Sequence, residues 1–158
     1  MHVVLIHPDI PQNTGNIGRT CVATGTRLHL VGPMGFSLDD KFLKRSGLDY
    51  WKDLDLTVHG SVREFLGSAV GQGRLFLFSR FARKSFWEAS YPEDAVLVFG
   101  SETEGLPPAL KKRFSSRLFR IPTVGRVRSL NLSTAAGIVL FEALRQHGKF
   151  IRNPHDKK

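Results

Sequence analysis

Residues 120–137, RIPTVGRVRSLNLSTAAG, pass from an apolar strand end through a basic, glycine-centred loop into a helix. That helix is apolar at Leu132, Ala135, Ala136, Ile138, Val139, Leu140, Phe141, Ala143 and Leu144. The set is wider than a single stripe, so one face packs on a sheet and another needs cover, from within the chain or from a second copy of it. At the mouth of the helix, Ser129, Leu130, Asn131, Leu132 and Ser133 alternate polar and apolar. One such polar side chain is enough to satisfy free N–H groups of a first helical turn. Three point to a surface that also binds something.

Working outward, short apolar runs alternate with helical patterns along the whole chain. HVVLI (2–6), RLHLV (27–31), RLFLF (74–78), AVLVFG (95–100) and RLFRIP (117–122) read as strands bounded by Gly, Pro or polar clusters. Helices are expected near 15–25, 61–70, 107–114 and 131–147, with a weaker one near 39–46. This alternation predicts an α/β fold, a mostly parallel sheet with helices on both faces. No repeat or second hydrophobic centre interrupts it, so a single domain is expected over 1–150, followed by a basic tail at 151–158. Such sheets bind ligands at the carboxyl ends of their strands. The loops HPDIPQNTGNIGR, GSETEGLPP and TVGRVRSLNLS are therefore the candidate site.

Charge supplies the next constraint. The chain has 158 residues, 23 Lys and Arg against 14 Asp and Glu, a net charge of +9 and a pI near 10.2. Polyanions are attracted by such a surface, and nucleic acid is the natural partner. Between 111 and 128 there are seven cations, Lys111, Lys112, Arg113, Arg117, Arg120, Arg126 and Arg128, and no acid. A second stretch, SRFARKSFW (79–87), interleaves cations with rings that can stack on unpaired bases. The alternative for both is a solvated basic face. No apolar run approaches a membrane span, and MHVVLIHPD does not read as a signal peptide, so a cytoplasmic protein is expected. The single cysteine, Cys21, lies in an apolar helical pattern and reads as a buried structural thiol.

Several chemistries are excluded by spacing. GSETEG lacks the lysine of a phosphate-binding P-loop, and NTGNIG lacks the third glycine and the acidic partner of a dinucleotide fingerprint. The six histidines show no metal-ligand spacing, so no metal is expected. Ser101 lacks the context of a hydrolase nucleophile elbow. What remains is the three loops. Asn13 and Arg19, six apart across a helix start, bring an amide and a guanidinium to one side of a cleft if Asn13 is not simply a cap and Arg19 a surface cation. Glu102 and Glu104 follow a buried strand, where a turn or a salt bridge to the basic loop would also explain them.

Together, NTGNIGR, GSETEGLP and RIPTVGRVRSLNLSTAAG, in that order and over nearly the whole chain, resemble the SPOUT superfamily of RNA methyltransferases. Within it they are most similar to the short tRNA (cytidine/uridine) 2′-O-methyltransferases of the wobble nucleotide. The resemblance implies a deep C-terminal trefoil knot, a homodimer through the last helix, and S-adenosylmethionine as cofactor. It implies that Phe78, Gly100, Ile121, Ser129 and Leu130 hold the cofactor. Transfer to a ribose hydroxyl is an in-line displacement, so alignment, exclusion of water and charge stabilisation are the enzyme's contributions. Arg19, too basic to be a general base at neutral pH, is expected to grip the adjacent phosphate and favour an alkoxide-like oxygen. Asn13, Ser129 and Asn131 would orient the ribose, Glu102 would play an orienting role, and Ser133 would help cap the helix. Two positions depart from the family's usual GPETRGLP: Ser101 stands for Pro and Glu104 for Arg. The alternatives are ribose methylation at another RNA site, in rRNA or elsewhere in tRNA, and a basic RNA-binding module without catalysis.

Overall fold

The computed structural model describes residues 1–38, 50–127 and 129–148. Its centre is a seven-stranded sheet of β1 (His2–Ile6), β2 (Arg27–Val31), β3 (Leu56–His59), β4 (Leu75–Phe78), β5 (Lys84–Ser85), β6 (Val96–Phe99) and β7 (Leu118–Arg120). The spatial order is β3-β2-β1-β6-β4-β7-β5, and every neighbouring pair is parallel. The described helices are α1 (Pro11–Thr24), α2 (Val62–Gly67), α3 (Pro108–Arg113) and α4 (Leu132–Arg145).

The continuous apolar runs become inner strands because both of their faces are covered. Side chains of alternating residues fall into two clusters. Val3, Leu5, Leu28, Leu30, Leu97 and Phe99 pack with Ile17 and Cys21 of α1 and Val139, Leu140 and Ala143 of α4. Val4, Ile6, Val31, Val96 and Val98 pack with Phe65 of α2 and Leu110 of α3. Leu5, Leu28 and Leu97 are fully buried. Truncating any one to Ala would cost about 2–5 kcal/mol.

The sequence missed two strands. β3 is an edge strand whose middle residues are exposed, so its pattern is not an apolar run. β5 is two polar residues paired only to β7. The helix expected near 39–46 lies outside the described residues. α2 is shorter than expected, because the Ser68 hydroxyl donates to the Phe65 carbonyl at 2.6 Å and the chain turns away there. α1 begins four residues before the expected position 15, with Pro11 at its first turn, where the missing N–H costs nothing. It ends at Gly25, whose φ of 61° is the left-handed conformation that terminates helices.

Candidate active site

Loops following β1, β4, β6 and β7 meet at the carboxyl edge of the sheet around a cavity of about 310 Å³. Phe78 at the end of β4 and Phe99 at the end of β6 both line it, stacked with centroids 4.9 Å apart and planes 19° apart. They form an apolar floor. Gly100, Ile121, Ser129 and Leu130 complete that side, so the structure brings all five expected cofactor residues to one cavity.

The loop after β6 is folded tightly against its own strand. Ser101 and Gly105 exchange backbone hydrogen bonds of 3.2 and 3.0 Å, and Gly105 has a φ of 70°. A Cβ on Gly100 would lie 2.0 Å from the Gly105 carbonyl carbon, so only glycine admits this approach. The turn puts Glu102 opposite α1. There, Glu102 Oε1 accepts from Asn13 Nδ2 at 2.8 Å and Oε2 accepts from the Asp9 backbone N–H at 2.8 Å.

Asn131 joins the third loop to this pair. Its Nδ2 donates to Asn13 Oδ1 at 2.9 Å, while its Oδ1 accepts from the backbone N–H groups of Ser133 and Thr134 at 2.8 and 3.3 Å. Asn131 is thus the cap of α4. Ser133, expected to cap the helix, instead lies inside it and donates its hydroxyl to Asn131 Oδ1 at 2.7 Å. The row Asn131–Asn13–Glu102 therefore ties the start of α4 and the loop after β6 to the first turn of α1, and all three residues line the cavity. Glu102 is neither ion-paired to the basic loop nor a mere turn residue among the described residues; it holds the Asn13 amide.

Arg19 does not join them. It is exposed, its guanidinium carbon 4.9 Å from the centroid of the Tyr50 ring, and it does not line the cavity. Tyr50 in turn donates its hydroxyl to the Gly15 carbonyl at 2.7 Å. Because α1 starts at Pro11, Asn13 and Arg19 are both helical, and six residues at ~100° each set their side chains about 120° apart. Pro11 was the available signal, being the favoured first residue of a helix. The three candidate loops also leave out the loop after β4, which the sequence marks only as a basic and aromatic stretch: Ser79, Arg80 and Phe81 line the cavity, as does Lys111 from α3. The rule that ligands bind beyond strand carboxyl ends would have included it.

A parallel open sheet with a mixed apolar and amide-lined cavity at its carboxyl edge defines an α/β protein built to hold a nucleoside-sized ligand there. The chain belongs to the SpoU rRNA Methylase family, whose model matches residues 1–141. It is 50% identical over 149 residues, 92% of either chain, to a Bacillus subtilis protein whose name attributes to it tRNA (cytidine(34)-2′-O)-methyltransferase activity. A solved structure concerned with the 2-OH methylation of C/U34 on tRNA superposes with a TM-score of 0.88 at 46% identity, covering 94% of this chain and 96% of that one. An AdoMet-bound rRNA methyltransferase from Sinorhizobium meliloti superposes with a TM-score of 0.82 at 30% identity over 91% of this chain and 55% of that one.

The residues present fit S-adenosylmethionine. The Phe78–Phe99 floor with Ile121 and Leu130 offers apolar contact to a flat base, and Ser129 and the amide row offer hydrogen bonds to hydroxyl and amino groups.

Proposed function

We propose that this chain transfers a methyl group from S-adenosylmethionine to the ribose 2′-hydroxyl of nucleotide 34, a cytidine or uridine, in tRNA. The observation that carries the reading is the Asn131–Asn13–Glu102 row on the wall of a cavity that also has the five cofactor residues in its lining. When bound, S-adenosylmethionine supplies an electrophilic methyl group. Phe78, Gly100, Ile121, Ser129 and Leu130 hold it, largely through backbone groups. Asn13, Ser129 and Asn131 orient the ribose, which is alignment in the sense that fixes reacting atoms in line. Glu102, accepting two hydrogen bonds, fixes the Asn13 amide. Arg19, outside the cavity, grips an RNA phosphate; its place does not support the closer role at the oxygen.

The same reading includes a trefoil knot in the last third of the chain, supported by Ile121, Thr123 and residues 129–131 sharing one cavity with the loops after β4 and β6. It includes a homodimer through α4, supported by Ile138, 38% exposed one turn beyond the cavity-lining Ala135. It also includes a single catalytic domain over 1–150, the basic tail beyond it, and work in the cytoplasm on tRNA. No described helix is long and apolar enough to cross a membrane.

Incubating unmodified tRNA with the protein and methyl-labelled S-adenosylmethionine tests the reading. Label is expected on the ribose of nucleotide 34. Label at another tRNA position or in rRNA overturns the wobble assignment, and RNA binding without incorporation overturns catalysis.

A further inference from the structure

Phe81 is 72% exposed, an unusual state for a side chain whose burial is worth so much apolar contact. It follows β4 and lines the rim of the cavity. Among the described residues it is the one exposed aromatic side chain that does so. Cations surround it. The Arg80 guanidinium carbon lies 4.6 Å and Lys111 Nζ 5.7 Å from its ring centroid, and both residues line the cavity along with Arg120. Glu102 and Glu104 are the acids of the lining, and Glu102 is occupied by Asn13 and Asp9.

We propose that Phe81 is a shelf on which an unpaired nucleobase beside the methylated nucleotide stacks, with Arg80 and Lys111 holding that base's flanking phosphates. The inference rests on the RNA-methylating reading above and names a positioning residue for it. An exposed ring flanked by cations suits a single strand, whose bases all offer a π-face and whose phosphates draw the cations outward. The other rings of 79–87 do not fit. Phe86 is buried, and Trp87, though 65% exposed, leans on Phe86 at 5.0 Å and does not line the cavity. Nor does the cofactor's adenine suit Phe81, because the enclosed aromatic floor is the Phe78–Phe99 pair, 8% and 2% exposed.

The test uses the full chain with a tRNA anticodon stem-loop carrying 2-aminopurine next to nucleotide 34. Wild-type protein is expected to quench the fluorophore on binding. Phe81→Ala abolishes the quench and weakens RNA affinity about tenfold, with a matching rise in KM for RNA. Affinity for S-adenosylmethionine and kcat at saturating RNA stay within about twofold. Phe81→Trp restores binding, Phe81→Leu does not, and Trp87→Ala changes nothing. Arg80→Gln and Lys111→Gln each flatten the salt dependence of binding by about 0.7 in log–log slope, one phosphate on a single strand. Unchanged RNA affinity in Phe81→Ala, equal rescue by Leu, or a loss of cofactor affinity instead overturns the shelf. A wild-type protein that quenches the probe yet methylates the nucleotide on the probe's other side sinks the wobble assignment while supporting the shelf.

Discussion

Two rows of side chains bridge distant parts of this molecule by hydrogen bonds and put the same kind of contact to opposite uses. One is Asn131–Asn13–Glu102 on the cavity wall, joining residues 118 and 89 apart in sequence. The other is His2–His29–His59, which crosses β1, β2 and β3 with nitrogen–nitrogen distances of 2.9 and 3.2 Å. His29 and His59 are buried, and the row ends edge-on against the ring of Phe65. Four of its six ring nitrogens pair with one another, and among the described residues no group of three His, Cys, Asp or Glu is set to hold a metal. The amide row differs in what it leaves over. The bonds described for Asn13 use one of its two N–H donors and one direction of its oxygen, so capacity remains to face a ligand. A polar row packed into the sheet away from the cavity serves the fold, and one with spare donors on a cavity serves a site.

Breaking the open row has the largest expected effect. Asn13→Ala removes the member bonded to both others, and turnover should fall about 100-fold or more, the scale seen when one preorganised donor is lost. Glu102→Ala should fall similarly, because the freed amide no longer holds one orientation. The double variant should be little worse than the worse single one, since the residues act as a unit. Steady-state kinetics on labelled tRNA measure all three. Simple addition of the two losses would show that the residues act separately, and the contrast with the histidine row would lose its basis.

The histidine row should instead respond to acid. Burial first, then the neighbouring His2 and His59 charges, pushes the His29 basicity down to about 4 from 6.5; Arg27 lowers it further and Asp55 opposes. His2 is lowered too, chiefly by burial. A depressed imidazole means the native state stays neutral where the unfolded chain takes up a proton. The stability contribution is therefore complete above pH ~6.5 and is lost as pH falls towards ~4, by roughly 2–3 kcal/mol for His29. Urea denaturation at pH 7.5 and 4.5 measures the loss, and His29→Gln should flatten it. Turnover of the variant near neutral pH should stay within about twofold of wild type, and a tenfold fall would mean the buried row reaches the site after all.

The two rows were not equally legible. Asn13, Glu102 and Asn131 stood out because all three fall in Gly-bearing segments just beyond strand carboxyl ends, where the topology rule places ligands. The inner strands were legible for a related reason: burial on both faces forces long apolar runs such as VLVF of β6. The histidine row was invisible, because its pairing needs β3, where LTVH alternates over only four residues and the polar His59 is buried while the apolar Val58 is exposed, the reverse of what the alternation predicts. Arg19 was misplaced through one boundary. With the helix starting at 15, Asn13 would precede it and be free to face either way; starting at Pro11, the helix fixes the angle between them. Spacing predicts proximity only once the element's ends are known.

The smallest expected effect tests the turn that carries Glu102 to the row. Gly105 has a φ of 70°, yet a Cβ there would meet no atom within 4 Å. Gly105→Ala therefore pays only backbone strain, about 1–2 kcal/mol in the left-handed region. Gly105→Asn should recover part of that, because asparagine visits this conformation more readily. Gly100 is the opposite case, its Cβ position lying 2.1 Å from the Leu106 nitrogen, so an alanine there must push the whole turn away from β6. If the turn is only a bracket, Gly105→Ala lowers the denaturation midpoint while turnover of the folded protein stays within about threefold, since the Ser101 and Gly105 hydrogen bonds still fix Glu102. If turnover instead falls as far as in Asn13→Ala with stability barely changed, the turn moves during the reaction, and the amide row is a moving part rather than a fixed wall.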